Sequence, residues 1–531
     1  MFMKKCLKNP IMPLLLVLSG VLMALPFVFP VLGFLQWVSL VPAALVLILS
    51  AENKEIKLRR LYFRGLLYFW SFYAVSFHWF FYMYPLDFAG LSNAASIAVV
   101  IVACFGLSLF QAVWSAFSFL LFAKISRSEI MENMTFAKPF LVAALFVIAE
   151  LWQTVGWWGV PWGRLPIGQM NAILLVRSAS VFGSYFVSFV IVAVNFCIAY
   201  LVLKKDMRKL FTAIAATVFA INLVLGTLVT VFYKESYSTI KVAAAQGNIS
   251  SSEKWGSVSY DDLLKTYREL TEQAADSGAC VVIWPETALP YELFSDDELC
   301  EFVSELAREN QVTLIISAFT EVEESDMLAN SMIEVKSDGS FGKKIYIKQH
   351  LVPFGEFVPM RDIVSFIFPP LADVGMLADD LYEGKESVVI ETGKGKVGCG
   401  LCFDSIYETT MISSVQNGAQ YIAIATNDSW FSDSAALDMH NSQSRLRAIE
   451  TGRYVVRSAN TGISSVIDPL GNVKTSLGAN ETGYVVSEIE LRDSRTAYSY
   501  IGNLFAYMCI GYVAAIFFLG KFKEKTDSES K

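Results

Sequence analysis

Eight runs of predominantly apolar residues, each of about 20 residues and so long enough to cross a hydrocarbon core, constrain this chain more than any other feature. They fall at Pro10 to Phe29, Val31 to Ser50, Leu61 to Tyr84, Asn93 to Phe122, Pro139 to Thr154, Ala172 to Leu203, Leu210 to Tyr233 and Ile501 to Gly520. In lipid such runs must be helices, because an isolated helix alone satisfies its own backbone hydrogen bonds. The hydrophobic share of 54% agrees, since soluble proteins carry about 45–50% even counting glycine. Between the seventh and eighth runs the composition is that of an ordinary globular domain. The expected organisation is an α-helical membrane bundle of eight spans plus one water-soluble domain. Seven transmembrane helices are expected over residues 1–233, the soluble domain over 234–499, the eighth helix over 500–520 and a cytoplasmic tail over 521–531.

Basic loops set the orientation of such a bundle. Lys and Arg cluster at Lys4, Lys5 and Lys8, at Lys54, Lys57, Arg59 and Arg60, at Lys124, Arg127 and Lys138, at Lys204, Lys205, Arg208 and Lys209, and at Lys521, Lys523 and Lys525. The alternate short loops carry almost none, Arg164 being the main exception. Both termini are expected in the cytoplasm and the soluble domain on the outer face. The lysines before the first run suggest a signal peptide, but no small-residue cleavage site precedes Pro26 and Pro30 and a second apolar run follows, so the first helix is expected to be retained. The net charge of −8 argues against nucleic acid as a partner.

The outer domain contains GCGLCFDSIYE, Gly398 to Glu408, with cysteines at 399 and 402. A zinc site needs a second cysteine pair or clustered histidines, and the chain has only His78, His350 and His440, scattered singly. A redox pair places its attacking cysteine at a strand-to-helix turn with its partner inside the helix. Here Lys396 to Leu401 reads as a strand and Ser405 to Gln416 as a helix, so Cys399 falls in the strand and only Cys402 at the turn. Cys402 is left as a lone nucleophile and Cys399 as a buried strand residue. Cys280 and Cys300 lie in the same domain, where a bridge is permitted.

A thiol near pKa 8.5 is mostly protonated at neutral pH, so acyl-transfer chemistry needs a base, and a positive group where the oxyanion develops. Ala279 to Trp284 (ACVVIW) reads as a strand delivering Glu286, and Lys343 to Lys348 (KKIYIK) as a strand delivering Lys348, with His350 and Glu356 close behind. In open α/β sheets the carboxyl ends of strands face the crevice where ligands bind. Carboxylate, amine and thiol at three strand ends make a constellation, although a single acid or lysine after a strand is usually a solvated charge.

The stretches WPETALP (284–290), KQHLVPFGEFVP (348–359) and G-x-x-x-C (398–402) resemble the carbon-nitrogen hydrolase (nitrilase) superfamily. A fuller match, to the apolipoprotein N-acyltransferase family, adds AAAQGNI (243–249) with Lys254 and Trp255, ATNDSWF (425–431), RLRAIETGR (445–453), RSANTG (457–462) and GVPW (159–162). The resemblance implies an αββα nitrilase-like domain, with Glu286 as general base, Lys348 as oxyanion stabiliser, Cys402 as nucleophile and Glu356 as a supporting carboxylate. It further implies roles near acyl chain or donor for Trp255, Trp430 and Phe431. It implies no cofactor and no metal, a membrane phospholipid as acyl donor, a diacylglyceryl-modified apolipoprotein as acceptor, and a place in the bacterial inner membrane with the catalytic domain on the periplasmic face. The chain departs from the family at Phe403 and Asp404, where Tyr and Glu are common, which leaves open whether Asp404 holds the loops around the thiol.

By this reading the thiolate attacks the phospholipid ester and the oxyanion rests against Lys348 and the Phe403 N–H; the thioester then passes to an amine. A membrane-anchored amidase would use the same residues with water as acceptor, but eight spans are excessive for an anchor. A transporter or sensor with a dead binding module is a weaker rival, since the constellation is intact and the spans show no repeat. The apolar stretch Asp362 to Leu377 is a candidate for lipid contact. Glu150, Arg177 and His78, in or near the spans, receive no role.

Overall fold

The computed structural model describes residues 11–86, 91–250, 254, 259–322, 325–367 and 379–529. It divides into two compact units. One comprises Met1–Phe81, Ala98–Phe232 and Ile501–Lys531, the other Tyr82–Ile97 and Tyr233–Tyr500.

In the first unit, seven helices among the described residues are long and apolar enough to cross a membrane: Ile11–Val28, Pro30–Glu52, Asn93–Ser126, Thr135–Trp152, Ser184–Leu203, Lys205–Val231 and Leu504–Lys521. The third expected span differs. Its helix runs from Leu58 to Ser76 and gives way to a 3-10 segment, His78–Met83. Because that helix carries Arg59, Arg60 and Arg64, its composition falls short of the other seven. The sixth is shorter than expected, since Gly183 at φ +80° caps a 3-10 and single-turn segment and the continuous helix begins only at Ser184. Helices 11–28 and 58–76 approach closely at Gly20, where a Cβ would lie 2.5 Å from the Tyr68 carbonyl; small residues permit such approach in membrane bundles. Glu150 is buried rather than solvated and accepts from the Ser188 hydroxyl at 3.0 Å. Arg164, wholly buried, donates to Ser184 Oγ and Tyr185 Oη, each at 3.2 Å. Arg177 Nη1 donates to Thr230 Oγ1 at 2.8 Å, and His78 Nδ1 lies 2.8 Å from the Val75 carbonyl.

The second unit contains strands β1 (Thr239–Gln246), β2 (Val281–Ile283), β3 (Leu289–Glu292), β4 (Thr313–Val322), β5 (Met327–Val335), β6 (Phe341–Ile347), β7 (Val389–Thr392), β8 (Gly395–Leu401), β9 (Tyr421–Thr426), β10 (Val455–Ala459), β11 (Ser464–Ile467), β12 (Val473–Leu477) and β13 (Gly483–Glu490). They form two sheets, ordered β13-β1-β2-β4-β5-β6 with β3 beside β4, and β12-β11-β10-β9-β8-β7. Pairing is parallel through β1, β2 and β4 and through β8, β9 and β10, and antiparallel towards the edges.

Side-chain alternation explains the layers. Along β1, Val242 and Ala244 point into a core shared with Cys399, Leu401, Tyr421 and Ala423 of the other sheet. Ala243 and Ala245 point the other way, into a core built with helices Tyr260–Asp276 and Asp297–Asn310. The outer face of the second sheet packs Ile422, Ile424 and Val455 against Met411, Val415 and Ala448 of helices Glu408–Gln416 and Ala436–Thr451. The result is the expected αββα sandwich, with Cys399 fully buried between the sheets.

The same alternation explains Gly-Cys-Gly-Leu-Cys. Gly398 and Gly400 face the outer helix, where a Cβ on Gly398 would stand 2.9 Å from the Cβ atoms of Ala419 and Ser414. The helix therefore lies close on the strand that leads to Cys402. Gly398→Val is expected to destabilise the domain by about 1–3 kcal/mol through overpacking, read as faster amide exchange along Gly395–Leu401.

Candidate active site

The strand ends deliver the expected groups. β2 is followed by Glu286, β6 by Lys348, and β8 by Cys402 at the start of the 3-10 turn Cys402–Ile406. Cys402 has φ +44° and Thr287, beside Glu286, +46°. Non-glycine residues seldom adopt this region, and where they do the surroundings must hold them there.

Lys348 is the centre of the site. Its Nζ donates to Glu286 Oε1 at 2.8 Å and reaches Glu356 Oε2 at 2.8 Å and Oε1 at 2.9 Å, with only 1% of the lysine side chain exposed. Burial alone disfavours the ammonium, but Glu286 and Glu356 outweigh it and hold the Lys348 pKa well above its ordinary value. Asn330, on β5, donates through one Nδ2 to Glu286 Oε1 at 2.9 Å and Glu356 Oε1 at 3.1 Å, and Val352 N donates to Glu356 Oε2. The Asn427 N–H, just beyond β9, donates to Glu286 Oε2 at 3.0 Å. Glu356 is raised above its usual range, first by burial and opposed by Lys348.

Cys402 keeps some exposed surface. Desolvation by its surroundings pushes the thiol pKa up, the nearby charge of Glu286 adds to the rise, and Lys348 opposes it. Cys402 is thus a thiol at rest, and its use as a nucleophile would require a base to take the proton. Cys399 is pushed up by burial alone, as its place between the sheets requires. Cys280 and Cys300 are both free, their Sγ atoms set against the carbonyls of Lys241 and Leu293, so the permitted bridge is not formed.

Asp404 does hold the loops. Buried, it accepts from Tyr346 Oη at 2.7 Å, Leu401 N at 3.1 Å, Gln349 N at 3.2 Å and His350 N at 2.9 Å, and it lies 2.9 Å from His350 Nδ1. The shorter acid still links the lysine loop to the cysteine turn. Phe403 is part-exposed and meets the Tyr407 ring edge-on. Phe431 is buried with its ring edge-on to His440 at 5.8 Å, and Trp430 is part-buried. Trp255 lies outside the described residues, as do residues 368–377 of the apolar stretch; its beginning lies in the helix Arg361–Ile367, with Phe366 88% exposed.

Several polar residues at the site received no role from the sequence, although Asp428, Arg457 and Lys254 lie in the quoted stretches. Asn330 is an amide in the middle of a strand and reaches the carboxylates only because β5 and β6 pair with Ser331 opposite Ile347. His440 and Asp428 sit behind the cysteine turn, with Arg457 Nη2 2.6 Å from Asp428 Oδ2. Lys254, buried, donates from Nζ to the Glu286 carbonyl and Thr287 Oγ1, each at 3.4 Å. Desolvation lowers its pKa to about 8, against the pull of Glu286. A lysine so depressed makes the folded state less stable below pH 8, and that cost disappears as pH rises from 8 towards the ordinary 10.5. Wild type is therefore expected to gain thermal stability relative to Lys254→Met between those values, a difference that melting curves of both proteins would measure.

A family model described as the apolipoprotein N-acyltransferase N-terminal domain matches residues 19–197, and one described as carbon-nitrogen hydrolase matches residues 241–498. Over 512 residues the chain is 28% identical to a relative named apolipoprotein N-acyltransferase from Geobacter metallireducens, covering 95% of this chain and 94% of that one. Over 482 residues it is 28% identical to a relative of the same name from Gloeobacter violaceus, covering 89% and 87%. Among solved structures it is similar to Saccharomyces cerevisiae Nit3, a nitrilase-superfamily member, at 20% identity and a TM-score of 0.38, over 51% of this chain and 95% of that one.

Proposed function

Because the chain belongs to the apolipoprotein N-acyltransferase family, we propose that it moves an acyl chain from a membrane phospholipid to the α-amino group of the diacylglyceryl-modified N-terminal cysteine of an apolipoprotein. The observation that carries the chemistry is the buried Glu286–Lys348–Glu356 cluster at the strand ends beside a thiol on a left-handed turn. The apolar helices of the first unit support a lipidic donor, and the basic clusters on alternate loops support a catalytic domain on the outer face with both termini inside.

The reaction proceeds in two halves. Glu286 takes the Cys402 proton as sulfur bonds to the ester carbonyl carbon. The oxyanion is stabilised by the Lys348 ammonium and the Phe403 N–H. Collapse breaks the acyl C–O bond, and the lysophospholipid leaves with the proton from Glu286. In the second half the acceptor amine attacks the thioester, Glu286 takes its proton, and the C–S bond breaks to return the thiol. Thioester to amide is downhill and asks for no external energy source, provided water is kept from the intermediate.

Mass spectrometry of the detergent-purified protein after incubation with phospholipid tests this. A hydroxylamine-labile acyl adduct is expected on Cys402, absent in Cys402→Ala and cleared by a diacylglyceryl-cysteine peptide as N-acylated product appears. Clearance by water alone would make the protein a hydrolase, and a folded protein without adduct would remove Cys402 as nucleophile.

Exposed Ile363 and Phe366 on the short helix Arg361–Ile367 support contact between this segment and lipid. Phe366→Ser is expected to slow acylation by vesicle phospholipid severalfold while acylation by a soluble ester is unchanged; equal rates with vesicles would remove that contact.

A further inference from the structure

Behind Cys402 stands a buried ionic group that the acyl-transfer steps do not use. Asp428 and Arg457 have no exposed surface and His440 has 1%. Arg457 Nη2 donates to Asp428 Oδ2 at 2.6 Å, and Thr426 Oγ1 donates to Asp428 Oδ1 at 2.9 Å. His440 Nδ1 lies 2.8 Å from Asp428 Oδ1, which fixes the plane of the imidazole. Its Nε2 lies 2.9 Å from Ser405 Oγ and 3.2 Å from the Cys402 carbonyl oxygen, and the Ser405 hydroxyl donates to that same carbonyl at 2.7 Å. Burying three ionisable side chains costs free energy that their mutual pairing only partly returns. All of this converges on a single backbone oxygen.

That oxygen belongs to the peptide unit between Cys402 and Phe403. A trans peptide is planar, so its C=O and N–H point in opposite directions. Gripping the carbonyl on the buried side therefore turns the Phe403 N–H away from His440, where Cys402 and Phe403 keep their exposed surface. In the first turn of a 3-10 helix this N–H has no intrahelical acceptor. The φ of +44° at Cys402 means that the turn needs such external restraint to keep its plane.

We propose that His440, aligned by Asp428 and Arg457, is a positioning residue that acts through Ser405, whose hydroxyl holds the Cys402–Phe403 peptide plane so that the Phe403 N–H meets the oxyanion. The assignment rests on Cys402 being the acyl-accepting nucleophile. It requires His440 to matter for reactions that pass through an oxyanion and not for those that only need the thiol. Alkylation of Cys402 by iodoacetamide displaces iodide at a saturated carbon and forms no oxyanion; acylation by p-nitrophenyl butyrate forms one.

Both rates are measured on full-length detergent-solubilised protein, for wild type, His440→Asn and Ser405→Ala. In His440→Asn, acylation is expected to fall about a hundredfold, the scale of losing one aimed oxyanion donor, while alkylation stays within about threefold. Ser405→Ala, which buries no unpaired charge, is expected to lose about tenfold in acylation alone. Parallel losses in both reactions, or unchanged acylation in a folded variant, would overturn the assignment. If His440→Asn does not fold, Ser405→Ala decides, and unchanged acylation there overturns it. Wild-type protein that alkylates at Cys402 but takes no acyl group from the ester would instead remove the nucleophile reading on which the proposal stands.

Discussion

The catalytic unit is organised around one ammonium group held between two carboxylates out of water. Lys348 reaches Glu286 and Glu356 at 2.8 Å each. Removing one member of such a buried set leaves a charge without compensation, which costs about 3–5 kcal/mol, so none of the three side chains is free to wander. Their positions tie together the turn after β2, the end of β6 and the loop up to Glu356, and Asn330 fastens β5 to both acids. The ammonium is consequently in place before any substrate arrives, and charge preorganised in this way is where electrostatic catalysis draws its advantage over water.

Cys402 comes from the other sheet and is held by different means. Its strand is pressed against an outer helix through two glycines, its turn is laced to the lysine loop by Asp404, and its carbonyl accepts the Ser405 hydroxyl with His440 close behind. The two sheets share a core of interdigitated side chains, so the amine and thiol are set relative to one another by the thickness of a packed layer. Rigid elements of this kind hold a constellation better than loops alone.

Much of this was legible beforehand because it is local. A β-rich run followed at once by an acid, an amine or a thiol places that group at a strand's end. The two-residue alternation that puts Cys399 inward also puts Gly398 and Gly400 under the helix. What escaped notice is non-local. Asn330 depends on antiparallel register, and His440, 38 residues from Cys402, is brought there by the helix it rides on. A lone histidine in sequence says nothing about which carbonyl it will touch. In the membrane unit, apolar runs located the helices but not their breaks. The helix Leu58–Ser76 gave way to a 3-10 segment, and the positive φ of Gly183 preceded the start of the sixth helix, so both spans are shorter than hydrophobicity alone had drawn them.

The filled space between the sheets also bears on where a fatty chain can go. Val242, Ile283, Tyr346, Cys399, Leu401 and Tyr421 occupy that layer and are buried there, and protein interiors packed in this way leave few voids larger than a water molecule. Under the proposed chemistry, an acyl group on Cys402 would meet this packed layer on its inner side rather than a void. The hydrocarbon would then need its shelter from water somewhere other than the space between the sheets.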